Sequence, residues 1–129
     1  MIAHGATLLA ALLLALFSCS AKAQEVRELL QLGTVMGFRY YDGMAVWPEL
    51  RAGQMLTLVR ESDNPHDRQA IRVEWQSHKL GYVPRADNVD LARLMDNGAA
   101  VEARITKLEK SRRPNNRVQF EIYLSPAPQ

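Results

Sequence analysis

A short acidic segment in the middle of the chain carries the side chains best suited to chemistry. Asp63, Asn64, His66 and Asp67 lie close together, with Pro65 among them. Asx side chains and proline are typical of a tight turn, because the side-chain oxygens bond nearby backbone amides and the proline ring fixes φ. The same groups could bind a ligand, since a carboxylate accepts a hydroxyl proton and an imidazole can accept or donate one. The residues alone leave both interpretations open.

The spacing of these residues does not predict an enzyme. The chain shows no nucleophile, base and orienting group in a recognisable pattern, and no glycine-rich loop that would hold a phosphate. His66 and His78 are not spaced as metal ligands, so we expect no metal and no cofactor. A nuclease that uses Asp63, His66 and Asp67 is the weakest alternative.

The N-terminus has the pattern of an export signal. An apolar run over residues 6–17 is followed by small residues that end at Ala23, where a signal peptidase could cleave. The run is too short to cross a bilayer as a helix. Residues 1–23 are therefore predicted to be a signal peptide, which would place the protein in the periplasm or outside the cell. Residues 16–19 also resemble a lipobox, and in that alternative Cys19 would carry a lipid anchor.

The charge of the chain is nearly balanced. It contains 16 basic and 14 acidic residues, and its formal net charge is +2. Cleavage after residue 23 would remove one base, Lys22, and no acid. Binding to nucleic acid must therefore depend on a local basic patch rather than on bulk attraction. The run of four bases between residues 110 and 117 is most simply a solvated hairpin tip, although it could also steer an anion towards the domain.

The hydrophobic pattern predicts a small domain of short strands with one main helix. Alternation of apolar and polar residues indicates six strands, at residues 34–41, 55–60, 70–75, 80–83, 101–108 and 118–124. Asp87 or Asn88 could cap a helix that ends near Asp96. Six short strands and one helix predict a mainly β or α+β fold, in which a strongly curved sheet or barrel is plugged by the helix.

The remaining segments are predicted to be connections. Residues 24–32 are expected to lead into the domain, and residues 44–53, which contain Pro48 and Gly53, are expected to form a loop. Residues 126–129 are expected to be a tail. The folded domain is predicted to span residues 33–125.

Several segments in a fixed order resemble the HIRAN domain family. The matching segments are residues 37–43, 58–61 with 63–67, 70–73, 80–85 with Asn88, and 91–98, so that the resemblance covers about residues 33–108. It implies a small OB-like β-barrel and a pocket that grips the 3′-hydroxyl end of single-stranded DNA.

Residue by residue, the resemblance implies a pocket formed by Arg39, Tyr40, Asn64, His66, Asp67, Tyr82 and Arg85. A ring would stack on the terminal base, the two arginines would contact phosphates, and Asp67 would accept the terminal hydroxyl. His66 and Tyr82 stand where the best-known member of the family has a tyrosine and a histidine. The geometry of stacking therefore differs from that member, while rings for stacking remain.

The resemblance implies a non-catalytic module that binds nucleic-acid ends, and the N-terminus implies that it works outside the cytoplasm. Free DNA ends are not the usual ligand of that compartment. The alternative is an envelope or extracellular interaction module that keeps the fold and binds a protein, a glycan or a small anion.

Overall fold

A computed structural model describes residues 27–125, in which six strands form one sheet that carries two short helices. The strands are β1 (Leu29–Thr34), β2 (Met55–Arg60), β3 (Ile71–Trp75), β4 (His78–Tyr82), β5 (Val101–Leu108) and β6 (Val118–Leu124), and the helices are α1 (Gly43–Val46) and α2 (Val89–Asp96). Short 3-10 turns occupy Phe38–Tyr40, Trp47–Glu49, Arg85–Asp87 and Pro114–Asn116. The predicted signal peptide, Cys19 and the tail lie outside the described residues.

The sheet is antiparallel throughout and runs in the order β1-β6-β5-β2-β3-β4. The edge strands β1 and β4 are not joined to each other by a ladder of hydrogen bonds, and this leaves a gap between them. One isolated bridge spans this gap, because Met36 N donates to Tyr82 O at 2.8 Å and Tyr82 N donates to Met36 O at 2.9 Å. The predicted mainly β, OB-like fold is confirmed, although the ladders do not close the sheet into a barrel.

The bridge requires a glycine at position 81. A Cβ atom there would lie 2.2 Å from the carbonyl oxygen of Met36, and Gly81 has a φ of +153°. Both the close approach and the dihedral exclude an ordinary side chain. Gly81 therefore allows the segment after β1 to reach β4.

Burial on one face of the sheet explains why these segments form strands. In β3 the apolar residues Ile71, Val73 and Trp75 are buried and alternate with the half-buried Arg72 and Glu74. This is the predicted pattern of one core face and one wet face. Each large apolar side chain that is fully buried contributes about 1.5 to 3 kcal/mol to folding.

The strand predicted over residues 34–41 differs from the structure. β1 begins at Leu29, inside the segment expected to lead into the domain, and ends at Thr34. Gly37 then adopts a left-handed conformation with φ of 79°, and Phe38–Tyr40 continue as a 3-10 turn. This turn directs the fully buried Phe38 against Trp47, with ring centroids 5.9 Å apart. Core packing of Phe38 thus overrides the aromatic, β-branched composition that predicted a strand.

The segment predicted as a loop, residues 44–53, also contains regular structure. It includes most of α1 and the 3-10 turn at Trp47–Glu49. The absence of a side chain at Gly43 allows this segment to pack on the ring of Phe38, because a Cβ atom there would lie 2.4 Å from that ring.

The main helix agrees with the prediction. α2 spans Val89–Asp96 and buries Leu91 and Ala92. It ends where Gly98, with φ of +90°, follows the last turn. Asn88 stands at the N-cap, but its side chain makes no capping hydrogen bond.

Candidate functional site

A cleft of about 280 Å³ opens beside the bridge between Met36 and Tyr82. Five of the seven predicted site residues line it: Asn64, His66, Asp67, Tyr82 and Arg85. Met36, Tyr41, Ala70 and Val83 complete the wall. The fold thus brings together residues from the acidic segment, from the end of β4 and from the turn that precedes α2.

Asn64 organises the acidic segment as a turn. Its Oδ1 accepts hydrogen bonds from the backbone amides of His66 at 2.9 Å and Asp67 at 3.3 Å. Its Nδ2 donates to Oε1 of Glu61 at 3.1 Å. These bonds show that Asn64 stabilises the turn formed by the acidic segment.

Asp67 is held in place at both carboxylate oxygens. Oδ1 accepts from the backbone amide of Gln69 at 3.0 Å, and Oδ2 accepts from Nδ2 of Asn88 at 2.8 Å. Nε of Arg85 lies 3.6 Å from Oδ2, and the Asp67 side chain is only 16% exposed. An ionised carboxylate has about four lone-pair sites, so one further donor can still be accepted.

Asn88 contributes to the site, although it was predicted as a possible helix cap and not as a site residue. It is 1% exposed and is the one buried polar residue within residues 27–125. Its amide points away from the first turn of α2 and donates to Asp67. The sequence alone does not show whether an asparagine at this position caps the helix or donates a hydrogen bond to a distant segment.

The aromatic wall of the cleft is formed by Tyr41 and Tyr82. Their ring centroids are 5.9 Å apart, and the planes meet at 69°. The ammonium group of Lys79 lies 4.0 Å from the centroid of Tyr41 and 4.6 Å from that of Tyr82. Burial lowers the pKa of Lys79, but its contacts with Tyr82, Tyr41 and Glu61 outweigh burial and raise it. Lys79 therefore keeps its charge against the rings.

Glu61 fixes the orientation of Tyr82. The tyrosine hydroxyl donates to Oε1 of Glu61 at 2.9 Å, and Arg72 donates to Oε2 at 2.7 Å. Burial raises the pKa of Glu61, but the hydrogen bonds from Tyr82, Asn64 and Arg72 outweigh it and hold this pKa below its usual value. The ring of Tyr82 is thus anchored by a charged acceptor.

Arg85 and His66 form the exposed lip of the cleft. The Arg85 side chain is 71% exposed, and its guanidinium donates to the carbonyl oxygen of His66. His66 is also exposed. A cation and an imidazole are therefore accessible to a ligand that enters the cleft.

Arg39 and Tyr40 do not line the cleft. Tyr40 is 73% exposed, and the guanidinium of Arg39 lies 5.0 Å from the centroid of its ring. Because Gly37 turns the chain here, the neighbouring ring of Tyr41 faces the cleft instead. The sequence could not separate the two tyrosines, because the prediction assumed strand alternation where a 3-10 turn occurs.

Within residues 27–125 no three His, Cys, Asp or Glu side chains lie close enough to hold a metal ion. In the same part of the chain, no helix is both long and apolar enough to cross a bilayer.

Comparison with known proteins gives one family and two named relatives. The model of the HIRAN domain matches residues 30–126. Helicase-like transcription factor of Mus musculus is 32% identical over 83 residues, which is 60% of this chain and 8% of that protein. The protein of the same name from Oryctolagus cuniculus is 36% identical over 69 residues, which is 53% of this chain and 6% of that protein. The match thus spans only a small part of these relatives.

Two solved structures have a similar fold. A crystal structure of a protein from Lactobacillus plantarum gives a TM-score of 0.68 with 34% identity, and covers 77% of this chain and 95% of that one. The HIRAN domain of human HLTF gives a TM-score of 0.60 with 25% identity, and covers 78% of this chain and 80% of that one.

Proposed function

The chain belongs to the HIRAN domain family, and from this premise we propose that it is a non-catalytic module that binds the 3′-hydroxyl end of single-stranded DNA in the cleft. One observation carries the proposal. Five of the residues that the family resemblance implies, drawn from three separate segments, converge on one cleft.

The chemistry of the cleft suits the end of a strand. The rings of Tyr41 and Tyr82 offer a wall for the terminal base, and stacking contributes about 1 to 3 kcal/mol per base for any base. Arg85 is exposed and can contact a phosphate. Asp67 retains acceptor capacity for a hydroxyl, and its negative charge would repel a phosphate at the same position.

A binding role also fits the acidic segment better than hydrolysis does. Asp63, which a nuclease would need beside His66 and Asp67, does not line the cleft but a separate depression. The carboxylate of Asp67 is engaged by Gln69 and Asn88 rather than by a group that it could activate.

Fluorescence anisotropy can test the proposal with matched single-stranded oligonucleotides that end in a 3′-hydroxyl or a 3′-phosphate. We expect tighter binding of the hydroxyl end. Asp67→Asn should reduce this preference, because the variant replaces a charged acceptor that repels phosphate. Asp63→Asn is the control, since it makes the same change in the same turn outside the cleft. Weak and equal binding of both oligonucleotides by the unmodified protein would refute the proposal.

Export from the cytoplasm is a further part of the proposal, supported by the apolar run and the small residues before Ala23. N-terminal mass spectrometry of the native protein distinguishes the alternatives. Cleavage after Ala23 gives a chain that begins at Gln24, whereas a lipoprotein begins at an acylated Cys19. An intact Met1 would contradict export by either route.

The same N-terminus favours a second candidate function, in which the exported domain binds an envelope protein, a glycan or a small anion. Crosslinking in intact cells would recover such a partner, and Arg85→Ala should abolish the recovery if the cleft is the binding site. Recovery of nucleic acid alone would contradict this second candidate.

A further inference from the structure

The basic hairpin between β5 and β6 is fastened to the rim of the cleft. Oδ1 of Asn115 accepts a hydrogen bond from the backbone amide of Gly37 at 2.8 Å, and its Nδ2 lies 2.9 Å from the sulfur of Met36. Met36 lines the cleft. The turn at Pro114–Asn116 therefore packs directly beside the wall of the cleft.

Two further contacts fix the base of the hairpin. The backbone amide of Glu109 donates to the carbonyl oxygen of Arg117 at 2.9 Å, which closes the loop. The guanidinium of Arg117 lies 5.4 Å from the centroid of the Trp47 ring. The hairpin is thus positioned by side chains at its tip and at its base.

The charges on this hairpin are not neutralised by the protein. Lys110, Arg112 and Arg113 are exposed, and none of them forms an ion pair with any residue of the described part of the chain. Cations elsewhere on the domain are commonly paired, as Arg60 is with Asp96 at 3.0 Å and Arg93 with Asp90 at 3.2 Å. Free cations on a fixed hairpin make a surface suited to a polyanion.

We propose that Lys110, Arg112 and Arg113 bind the phosphates of the nucleotides that precede the one held in the cleft. The inference rests on the proposed function, because the cleft would hold the 3′ end of the strand and the hairpin would bind the nucleotides that precede it. The nearly neutral chain then binds a strand through one local surface rather than through its overall charge.

The test compares oligothymidylates of about two, six and ten nucleotides with a free 3′-hydroxyl, since OB-like folds bind about 4 to 16 nucleotides. We expect affinity to rise with length. Arg112→Ala/Arg113→Ala should remove this rise and leave the shortest ligand unaffected. On single strands the logarithm of affinity falls with the logarithm of salt concentration with a slope of about 0.7 per phosphate contact. The loss of two contacts should therefore make the fall in affinity between about 50 and 200 mM salt about sevenfold smaller.

Two further variants separate position from charge. Arg93→Ala/Arg104→Ala removes the same charge from exposed sites outside the hairpin and should preserve the dependence on length. Asn115→Ala keeps every charge but removes the bond to Gly37, and should weaken the binding of long ligands only.

The possible results distinguish this inference from the function on which it rests. Preference for a 3′-hydroxyl with no effect of length, or equal effects of the two double variants, would overturn the role of the hairpin alone. A length effect lost in Arg112→Ala/Arg113→Ala, without any end preference, would support the hairpin and overturn the proposed end-binding function. Absence of binding to every oligonucleotide would overturn both.

Discussion

The side-chain amide of Asn88 donates a hydrogen bond of 2.8 Å to Oδ2 of Asp67, and so joins the start of α2 to the turn that forms the cleft. Asn88 is almost completely buried, whereas its partner lies at the wall of the cleft. The position of the candidate acceptor therefore depends on a residue that does not itself line the cleft. Stability and end preference should respond together when this bond is removed.

Asn88→Ala should lower the free energy of unfolding by about 1 to 3 kcal/mol, because it leaves a buried acceptor with one partner fewer. Urea unfolding measures this change. Asp90→Ala, in the first turn of the same helix with a side chain 88% exposed, is the control and should change stability little. Equal effects of the two variants would show that the amide bond contributes nothing specific.

Glu61→Gln should make stability less dependent on pH in acid. The fold holds the pKa of Glu61 below its ordinary value of 4.5, so its stabilising contribution is fully present above that value. The contribution is lost as the pH falls through the lower pKa of the folded state. Urea unfolding between pH 7 and 3 should show a smaller decline for this variant than for the exposed control Glu49→Gln. Parallel curves would contradict the prediction.

Tyr82→Phe and Tyr82→Leu should separate anchoring from stacking. Phenylalanine keeps the ring and loses the bond to the charged Glu61, so stability should fall by about 1.5 to 3 kcal/mol while oligonucleotide affinity is largely kept. Leucine also removes the ring, and should weaken binding by about 1 to 3 kcal/mol, which is roughly five- to 150-fold. Unfolding and anisotropy measurements check the two effects. Equal affinities of both variants would show that the ring does not stack on a base.

Gly81→Ala should be one of the most destabilising small substitutions in the domain. The new methyl group would lie 2.2 Å from the Met36 carbonyl oxygen, and we expect a loss of about 2 to 4 kcal/mol from steric overlap and the unusual dihedral together. Gly98→Ala is the matched control, because its φ is +90° but no atom lies within 4 Å of the new group. It should cost only about 1 kcal/mol. Similar losses in thermal unfolding would contradict the role of close approach.

Ser77→Gly should stabilise the protein. Gln76 and Ser77, which connect β3 to β4, have φ of 45° and 68°, a conformation that glycine adopts without a steric penalty. We expect a gain of about 0.5 to 1 kcal/mol in the free energy of unfolding. Ser62→Gly, at a turn position without a positive φ, should give no gain. A loss of stability in Ser77→Gly would contradict the prediction.

The sequence predicted those parts of the fold in which local pattern and burial agree. β2, β3, β5, β6 and α2 all lie close to their predicted positions, because each has a repeating apolar face that the core covers. The family and the mainly β fold are likewise confirmed. The order of the strands in the sheet depends on contacts between distant residues, which periodicity cannot indicate.

The prediction failed where a single residue changes the direction of the chain. Gly37 ends the extended region, so that Phe38 enters the core and Tyr41 rather than Tyr40 reaches the cleft. The contact between Asn88 and Asp67 was missed for a related reason. An asparagine before a helix normally caps it, and only the packed structure shows that its amide is used elsewhere.

The segment from β1 to Asp42 has a fixed length. β1 pairs with β6, Met36 with Tyr82, Gly37 with Asn115, and the amide of Asp42 donates to the carbonyl oxygen of Lys79 at 2.9 Å. Insertion or deletion of one residue here would move every later attachment out of register. Over evolutionary time this segment should therefore keep its length among proteins with this domain, and so should the turn at Pro114–Asn116, because Asn115 is attached to Gly37.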